Sequence, residues 1–538
     1  MFKLRYIQYF YIVVSLTVFG IGFGPKSANA AEKTASVPEE DIQVLDSGPI
    51  HEAFAEAIAF DPEPGIVAPK APPALIEEIP PEQKPEGDIQ WIPGYWAWDD
   101  GRNEYIWVSG IWRVPPPDRQ WVPGYWTPSG QEYQWISGYW ASVKVKETEY
   151  LPEPPESVEV GPSSNAPSAD YTWIPGCWIW HYGRYVWQPG YWAVVHPDWI
   201  WIPAHYIWTP RGYIFVGGYW DYTVIHRGVL FAPVLFPPRV YFGMSFSFSP
   251  GFVIDLSVFD DALFIRPRYH HYYYGHYYAP RYYKTGIYPW FSLHARRVSY
   301  DPIYAHQRWR HRNDYKWEDH LETRFRERRE LQGFQSPKNF DHRKGHDKLD
   351  RLSGTERLDH VMPLNHSVST KVGVYRFKSL NQKERKEFLQ RDKALQTYQK
   401  KRQSQETQWQ NKLKGKASII PKPNKEKFSR SPIMDRPNRK AHLRKTPPAF
   451  YRAPKPNPDV EPLQRNDDLS RPWNRSQKSE DRLQRPGVRA KQSMDNIQES
   501  RNKRGWPDDR MQNSDASQQR SNFGQQREHF GRQRLIER

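Results

Sequence analysis

Aromatic side chains recur at fixed intervals between residues 91 and 220. Trp-Ile-Pro-Gly-Tyr-Trp at 91–96 returns with small changes at 107–112, 121–126 and 135–140, and again at 173–178 and 187–192. Weaker copies follow at 201–206, with Ala204 for Gly and Tyr206 for Trp, and at 215–220, led by Phe215. The leading aromatics are 16, 14, 14, 38, 14, 14 and 14 residues apart, giving two blocks of four on a 14-residue step. Around each copy the aromatics keep a period of two. Tyr105, Tyr133, Tyr171, Tyr185 and Trp199 stand two before a first Trp, and Trp98, Trp180 and Trp208 two after a second aromatic. Ile92, Val122, Ile136 and Ile174 fall on the opposite face. This alternation, with Pro-Gly steps between β-prone residues, predicts strands and excludes helix.

Pro93-Gly94 suits the centre of a type II turn, Pro fixing φ and Gly accepting φ > 0. On that reading Gly94, Gly110, Gly124, Gly138, Gly176, Gly190 and Gly218 all take positive φ. Each turn then makes its flanking aromatics cross-strand neighbours: Trp91 with Trp96, Trp107 with Trp112, Trp121 with Trp126, Trp135 with Trp140, Trp173 with Trp178 and Trp187 with Trp192, with Trp220 closing the last copy. Gly101, Gly130, Gly183 and Gly212 mark one kind of connection between copies, and Pro117-Asp118 and Pro197-Asp198 another, so two hairpins make a 28-residue cycle. Type II turns match strand twist poorly, and a longer loop with shorter strands is the alternative. The fold class expected is an all-β repeat region, an antiparallel hairpin meander, followed by a long, largely disordered basic tail with isolated helices.

Tyr133-Gln134-Trp135-Ile136-Ser137-Gly138-Tyr139-Trp140, and again Tyr185 to Trp192, carry the pattern Tyr-x-Trp-x-x-Gly-x-Trp. Over about 91–220 the chain resembles the bacterial YXWGXW-repeat proteins. The resemblance implies export and names no activity.

The flanks differ in kind. Lys3 and Arg5 precede an uncharged apolar stretch at 7–24, and Ala28-Asn29-Ala30 completes a signal peptide with cleavage between Ala30 and Ala31, an uncleaved anchor being the alternative. Residues 31–90 carry a net −11 and read as an acidic, Pro-rich disordered leader. The repeat blocks occupy 91–140 and 171–220, with a Pro/Glu/Ser-rich linker at 141–170. A β-rich, Tyr/His-rich extension follows at 221–312, then a partly helical basic segment at 313–413 with helical stretches at 317–332 and 381–413. Residues 414–538 read as a disordered basic tail; from 301 onward the net charge is +25, whereas 91–300 carries −1. No second apolar run is long enough to span a membrane as a helix.

Composition narrows the chemistry. Of 538 residues only 38% are hydrophobic, yet 24 are Trp, so the aromatics concentrate in one region. A single Cys, Cys177, excludes a disulfide framework within the chain and reads as a packing or surface thiol. His270, His271 and His276 are weak candidates for a metal site, outweighed by a solvated Tyr/His surface. Asp255, Asp260 and Asp261 read as surface acids at a strand end. No nucleophile motif, P-loop or dinucleotide fingerprint occurs, and neither catalysis nor a cofactor is expected. The aromatic ladder reads as core, with partial exposure at 91–98 and 201–220; an open strip that stacks on sugar rings is the alternative. The expected role is an exported, non-enzymatic structural or adhesive protein of the periplasm, cell envelope or extracellular matrix. The alternatives are a carbohydrate-binding module using the Trp/Tyr ladder, and polyanion binding through the tail. Partners expected are envelope glycans or anionic polymers, with no specific nucleic acid.

Overall fold

A computed structural model of the chain describes residues 42–238, 247–256, 259–292, 299–332, 361–365, 374–413, 424–427, 430–435 and 447–461. All lie in the compact unit Met1–Leu463. The signal peptide, the Ala30/Ala31 cleavage point and the tail beyond 461 lie outside the described residues.

The β fold is present, with a different pairing from the one expected. Each Trp-x-x-Gly-x-Trp copy is one strand interrupted at its Pro-Gly step, and two copies face each other in one long hairpin. In the first hairpin Gln90–Ile92 pairs Ile111–Arg113, and Tyr95–Asp99 pairs Glu104–Val108. Trp91 therefore lies opposite Trp112, and Trp96 opposite Trp107. The second hairpin sets Trp121 against Trp140 and Trp126 against Trp135; the third, Trp173 against Trp192 and Trp178 against Trp187. The fourth sets Trp201 against Trp220 and Tyr206 against Phe215. Ring centroids of all eight pairs are 5.0–5.5 Å apart, most of them edge-to-face.

The 28-residue unit thus holds one hairpin, not two. The expected type II turns are absent: none of the seven repeat glycines has positive φ. Left-handed backbone sits instead at the four tips, where Asn103 (φ 54°), Gly130 (φ 66°), Tyr182 and Gly183 (φ 48° and 82°) and Gly212 (φ 138°) reverse the chain. Two-residue type II turns splay twisted strands, whereas tips with positive φ match the twist.

The acidic leader is not a disordered arm over 42–90. Gln43–Val44 joins Val234–Leu235, Gly48–Pro49 joins Tyr273–Tyr274, Val67–Ala68 joins the second hairpin, and Gln83–Pro85 joins Phe377–Ser379. Phe54 and Ala53 are fully buried at the centre of the largest core cluster. The linker is likewise structured: Glu147–Leu151 pairs with the fourth hairpin and with Asn424–Lys427. Some of the tail docks too. Ile433 O accepts from Trp121 N at 2.9 Å, and Asn457 N donates to Trp187 O at 2.7 Å.

The Tyr/His tract is interior, correcting the solvated surface expected there. His271–Tyr274 is a central strand between Gly48–Pro49 and Leu263–Arg266, and Tyr272, Tyr274 and Tyr278 are buried. Helices occupy Trp317–Gln332 and Gln382–Leu413, as the composition implied, and also Pro302–Arg310, which Asp301 caps through the amides of Ile303 and Tyr304. Among the described residues no helix is long and apolar enough to cross a membrane.

Candidate peptide-binding grooves of the repeat hairpins

Seven of the eight copies keep the glycine, Ala204 replacing it in the copy led by Trp201, and the reason lies in the facing indoles. The first Trp of one copy lays its ring over the glycine of the facing copy. A Cβ on Gly110 would lie 2.5 Å from the Trp91 ring, one on Gly138 2.5 Å from Trp121, and one on Gly218 2.5 Å from Trp201. Gly94, Gly124, Gly176 and Gly190 meet Trp107, Trp135, Trp187 and Trp173 in the same way. The glycines are required by close approach, not by φ.

The interrupted ladder leaves glycine N–H groups unpaired, and carboxylates take them. Glu78 accepts from Gly94 N, Gly110 N (2.9 Å) and Trp107 Nε1 (3.1 Å). Glu52 accepts from Gly138 N (2.9 Å) and Trp135 Nε1 (3.2 Å) in the second hairpin. Glu159 accepts from Gly176 N and Trp173 Nε1 (3.1 Å) in the third. Burial raises the carboxyls of Glu52 and Glu78 to about 7, against the N–H donors that favour the ionised form. In the second hairpin Arg402 of the long helix also donates to the carbonyls of Pro123 (2.8 Å) and Ser137 (3.0 Å).

Beside Glu78 and Glu159 lies an extended Pro-rich segment read by the same hairpin, and a third such segment docks on the fourth hairpin. In the first, Tyr105 Oη donates to Lys70 O (2.8 Å) and Trp96 Nε1 to Ala74 O (2.9 Å), bracketing Pro72-Pro73 ahead of Glu78. In the third, Tyr185 Oη donates to Pro152 O (2.6 Å) and Trp178 Nε1 to Glu156 O (3.0 Å), bracketing Pro154-Pro155 ahead of Glu159. In the fourth, Trp220 Nε1 donates to Ala449 O (3.3 Å), directly after Pro447-Pro448. Tyr451 then packs on Trp201 and Trp220, with centroids 5.0 and 4.7 Å away. Proline fixes an extended backbone whose carbonyls point outward with no internal hydrogen bonds, which suits aromatic N–H and O–H donors.

The ladder is closed in the first block. Trp91, Trp96, Trp107, Trp112, Trp121, Trp135 and Trp140 are at most 4% exposed, and only Trp126 is half-buried. Ile92, Val122, Ile136 and Ile174, on the other face, are buried too. Residues 91–98 are thus more deeply covered than expected, because leader residues and Phe236 pack against them. Partial exposure appears as expected within 201–220, at Trp201, Trp208 and Phe215, and also at Trp173, Trp180 and Trp192, while Trp178, Trp187 and Trp220 are buried.

The three histidines do not converge. His270 Nδ1 meets Ala57 O at 3.0 Å, His271 Nε2 lies 3.6 Å from Glu52, and His276 Nε2 lies 3.7 Å from Asp46. Burial lowers the His271 imidazole to about 4. Asp261 pairs with Arg328 at 2.9 Å, and Asp260 accepts from Gln307 at 2.8 Å. Cys177 is half-buried, its thiol pushed up to about 12 by desolvation, with Sγ 3.4 Å from Trp178 O.

Sequence reasoning missed Glu52, Glu78, Glu159 and the straps. The signal was present as two Pro-Pro steps, each followed by Glu five or four residues after its second proline, in segments whose composition reads as unfolded. No protein-family model matches the chain, and neither a curated protein nor a solved structure matches it.

Proposed function

We propose that the chain is an exported, non-enzymatic structural repeat protein of the cell envelope or extracellular matrix, similar to the YXWGXW-repeat proteins, whose hairpins are receptors for extended Pro-rich segments. One observation carries this reading: after Pro72-Pro73, Pro154-Pro155 and Pro447-Pro448, the next carbonyl accepts an indole N–H from a repeat Trp. The chain fills these grooves with its own segments. A copy whose groove is empty takes the same segment from a neighbour, which makes the module adhesive.

A labelled peptide of residues 151–161 tests it. It should bind the full chain carrying Pro154→Ser, Pro155→Ser and Glu159→Ala, quenching Trp fluorescence, and should bind the unaltered chain far less. No binding to the variant removes the receptor reading. Cell fractionation with N-terminal sequencing of the mature protein tests export, with Ala31 the expected first residue. The half-buried rings of Trp173, Trp180 and Trp192 favour a second reading, glycan stacking on the third hairpin. That binding would survive high salt, whereas capture of polyanions by the basic tail would not.

A further inference from the structure

Where the first two hairpins meet the long helix there is a cavity of about 170 Å³. Leu75, Glu77 and Lys393 are partly or largely exposed at its rim. Two carboxylates on its wall, Glu52 and Glu78, are satisfied by the amide and indole donors described above. A third is not. Asp392 is 5% exposed, and neither of its carboxylate oxygens has a hydrogen-bond partner. The cations beside it in sequence are engaged elsewhere: Lys393 Nζ lies 3.5 Å from Glu77, and Arg391 sits over the Phe388 ring at 5.3 Å. Glu78 and Glu77 repel it, and Arg391 attracts it.

A buried carboxylate with no donor is costly, and like charges around it add to the cost. What relieves both is a positive group that brings its own N–H bonds. The rest of the wall is mixed, but it includes the rings of Tyr95, Trp107, Trp121 and Trp135, and electron-rich rings attract cations. A metal ion needs several oxygen or nitrogen ligands at fixed short distances. Among the described residues no group of three His, Cys, Asp or Glu side chains is set to hold one. A volume of about 170 Å³ also suits a molecule of several heavy atoms better than a bare ion. We propose that this cavity binds a small organic ammonium group, its N–H bonds directed to Asp392 and its CH surface against the aromatic wall.

Calorimetric titration of the full chain with ethylammonium chloride, against sodium chloride at equal ionic strength, tests the site. Saturable binding is expected, weakened roughly tenfold or more by Asp392→Asn and unchanged or tightened by Lys393→Ala. Burial and Glu78 push the Asp392 carboxyl well above the usual carboxylate range, so Asp392→Asn replaces a costly buried acid and should melt no lower than the native chain. Leu75→Trp alters only the exposed rim and should block entry, which keeps the test decisive if Asp392→Asn fails to fold. Choline, which lacks N–H bonds, should bind more weakly than ethylammonium. The proposal is overturned by no saturable binding, by equal binding to Asp392→Asn, or by equal binding to Leu75→Trp. Nα-acetyl-lysine amide then distinguishes sources: tighter binding than ethylammonium assigns the site to a lysine side chain of a partner, weaker binding to a free amine.

Discussion

The first and third hairpins share their Trp pairs, their Pro-Pro strap and their glutamate, yet they sit at different depths. In the first, all four paired indoles are at most 1% exposed. In the third, Trp178 and Trp187 are buried, whereas Trp173 and Trp192 are half-buried. The repeat pattern therefore specifies the hairpin, and something outside the pattern specifies burial. That something is neighbours. The first hairpin is flanked by Val234–Leu235, by Gly228–Val229 and by Phe388 of the long helix. It is also tied to the fourth hairpin by fully buried Arg113, which holds both oxygens of Asp221 at 2.7–2.8 Å. The third packs Trp180 and Tyr185 on Leu151, Tyr206 and Tyr213, and otherwise has its strap, the Tyr191–Tyr451 contact and an isolated bridge from Asn457, none of which covers Trp173 or Trp192 as fully.

The sharpest way to break this comparison is to cut one ring from each hairpin. Trp107→Ala removes a buried indole and one of the three donors to Glu78, and should cost about 3–5 kcal/mol. Trp192→Ala, whose N–H reaches only exposed Ser164, should cost about 1 kcal/mol in the same denaturant titration. Equal losses would show that depth does not matter.

Proton linkage gives the next largest effect. Glu78 titrates near 4.5 when unfolded and about 7 when folded, so the folded state holds a proton that the unfolded chain releases. Its contribution is full below about 4.5 and is lost as pH rises through about 7. Stability measured relative to Glu78→Gln should fall by roughly 3 kcal/mol over that window. Taking the difference cancels His51 and His271, whose values burial lowers to about 4 and whose contributions run the opposite way. A flat difference would mean that the N–H donors outweigh burial.

Gly124→Val should cost about 1–3 kcal/mol by chemical denaturation, because its Cβ meets the Trp135 ring and lies 2.6 Å from Ile136 O. Gly130→Ala, at a tip with φ 66° and nothing near its Cβ, should cost about 1 kcal/mol or less. A reversed order would restore the turn assignment that the backbone angles exclude.

How much of this the sequence disclosed depends on whether the signal was local. Period-two aromatics and the 14-residue step marked the strands, and Gly101, Gly130, Gly183 and Gly212 marked the tips correctly. Trp317–Gln332 and Gln382–Leu413 were visible as helices because their composition favours no alternative. Pairing partners were not visible. Pro-Gly inside a strand looks like a reversal until the facing strand is placed, since Val108 O and the Trp107 indole together explain why Gly94 must lack a Cβ. The straps were hidden for a related reason: a Pro-rich acidic segment has no core of its own, and its order comes from donors supplied elsewhere in the chain. The histidine tract misled because polar rings in a row resemble surface, yet Tyr272 Oη and Tyr274 Oη are satisfied inside by Asp301 and Leu45 O.

The straps also give the chain a timetable. Trp96 and Trp178 each take a carbonyl made 22 residues earlier, so those two grooves close as soon as their own hairpins emerge during synthesis. Trp220 takes Ala449 O, 229 residues later. The fourth hairpin must therefore wait, with its groove open, while nearly half of the polypeptide is still being added. Closing so long a loop is slow compared with local pairing, and an unfilled aromatic groove stays available to any Pro-rich segment that arrives first.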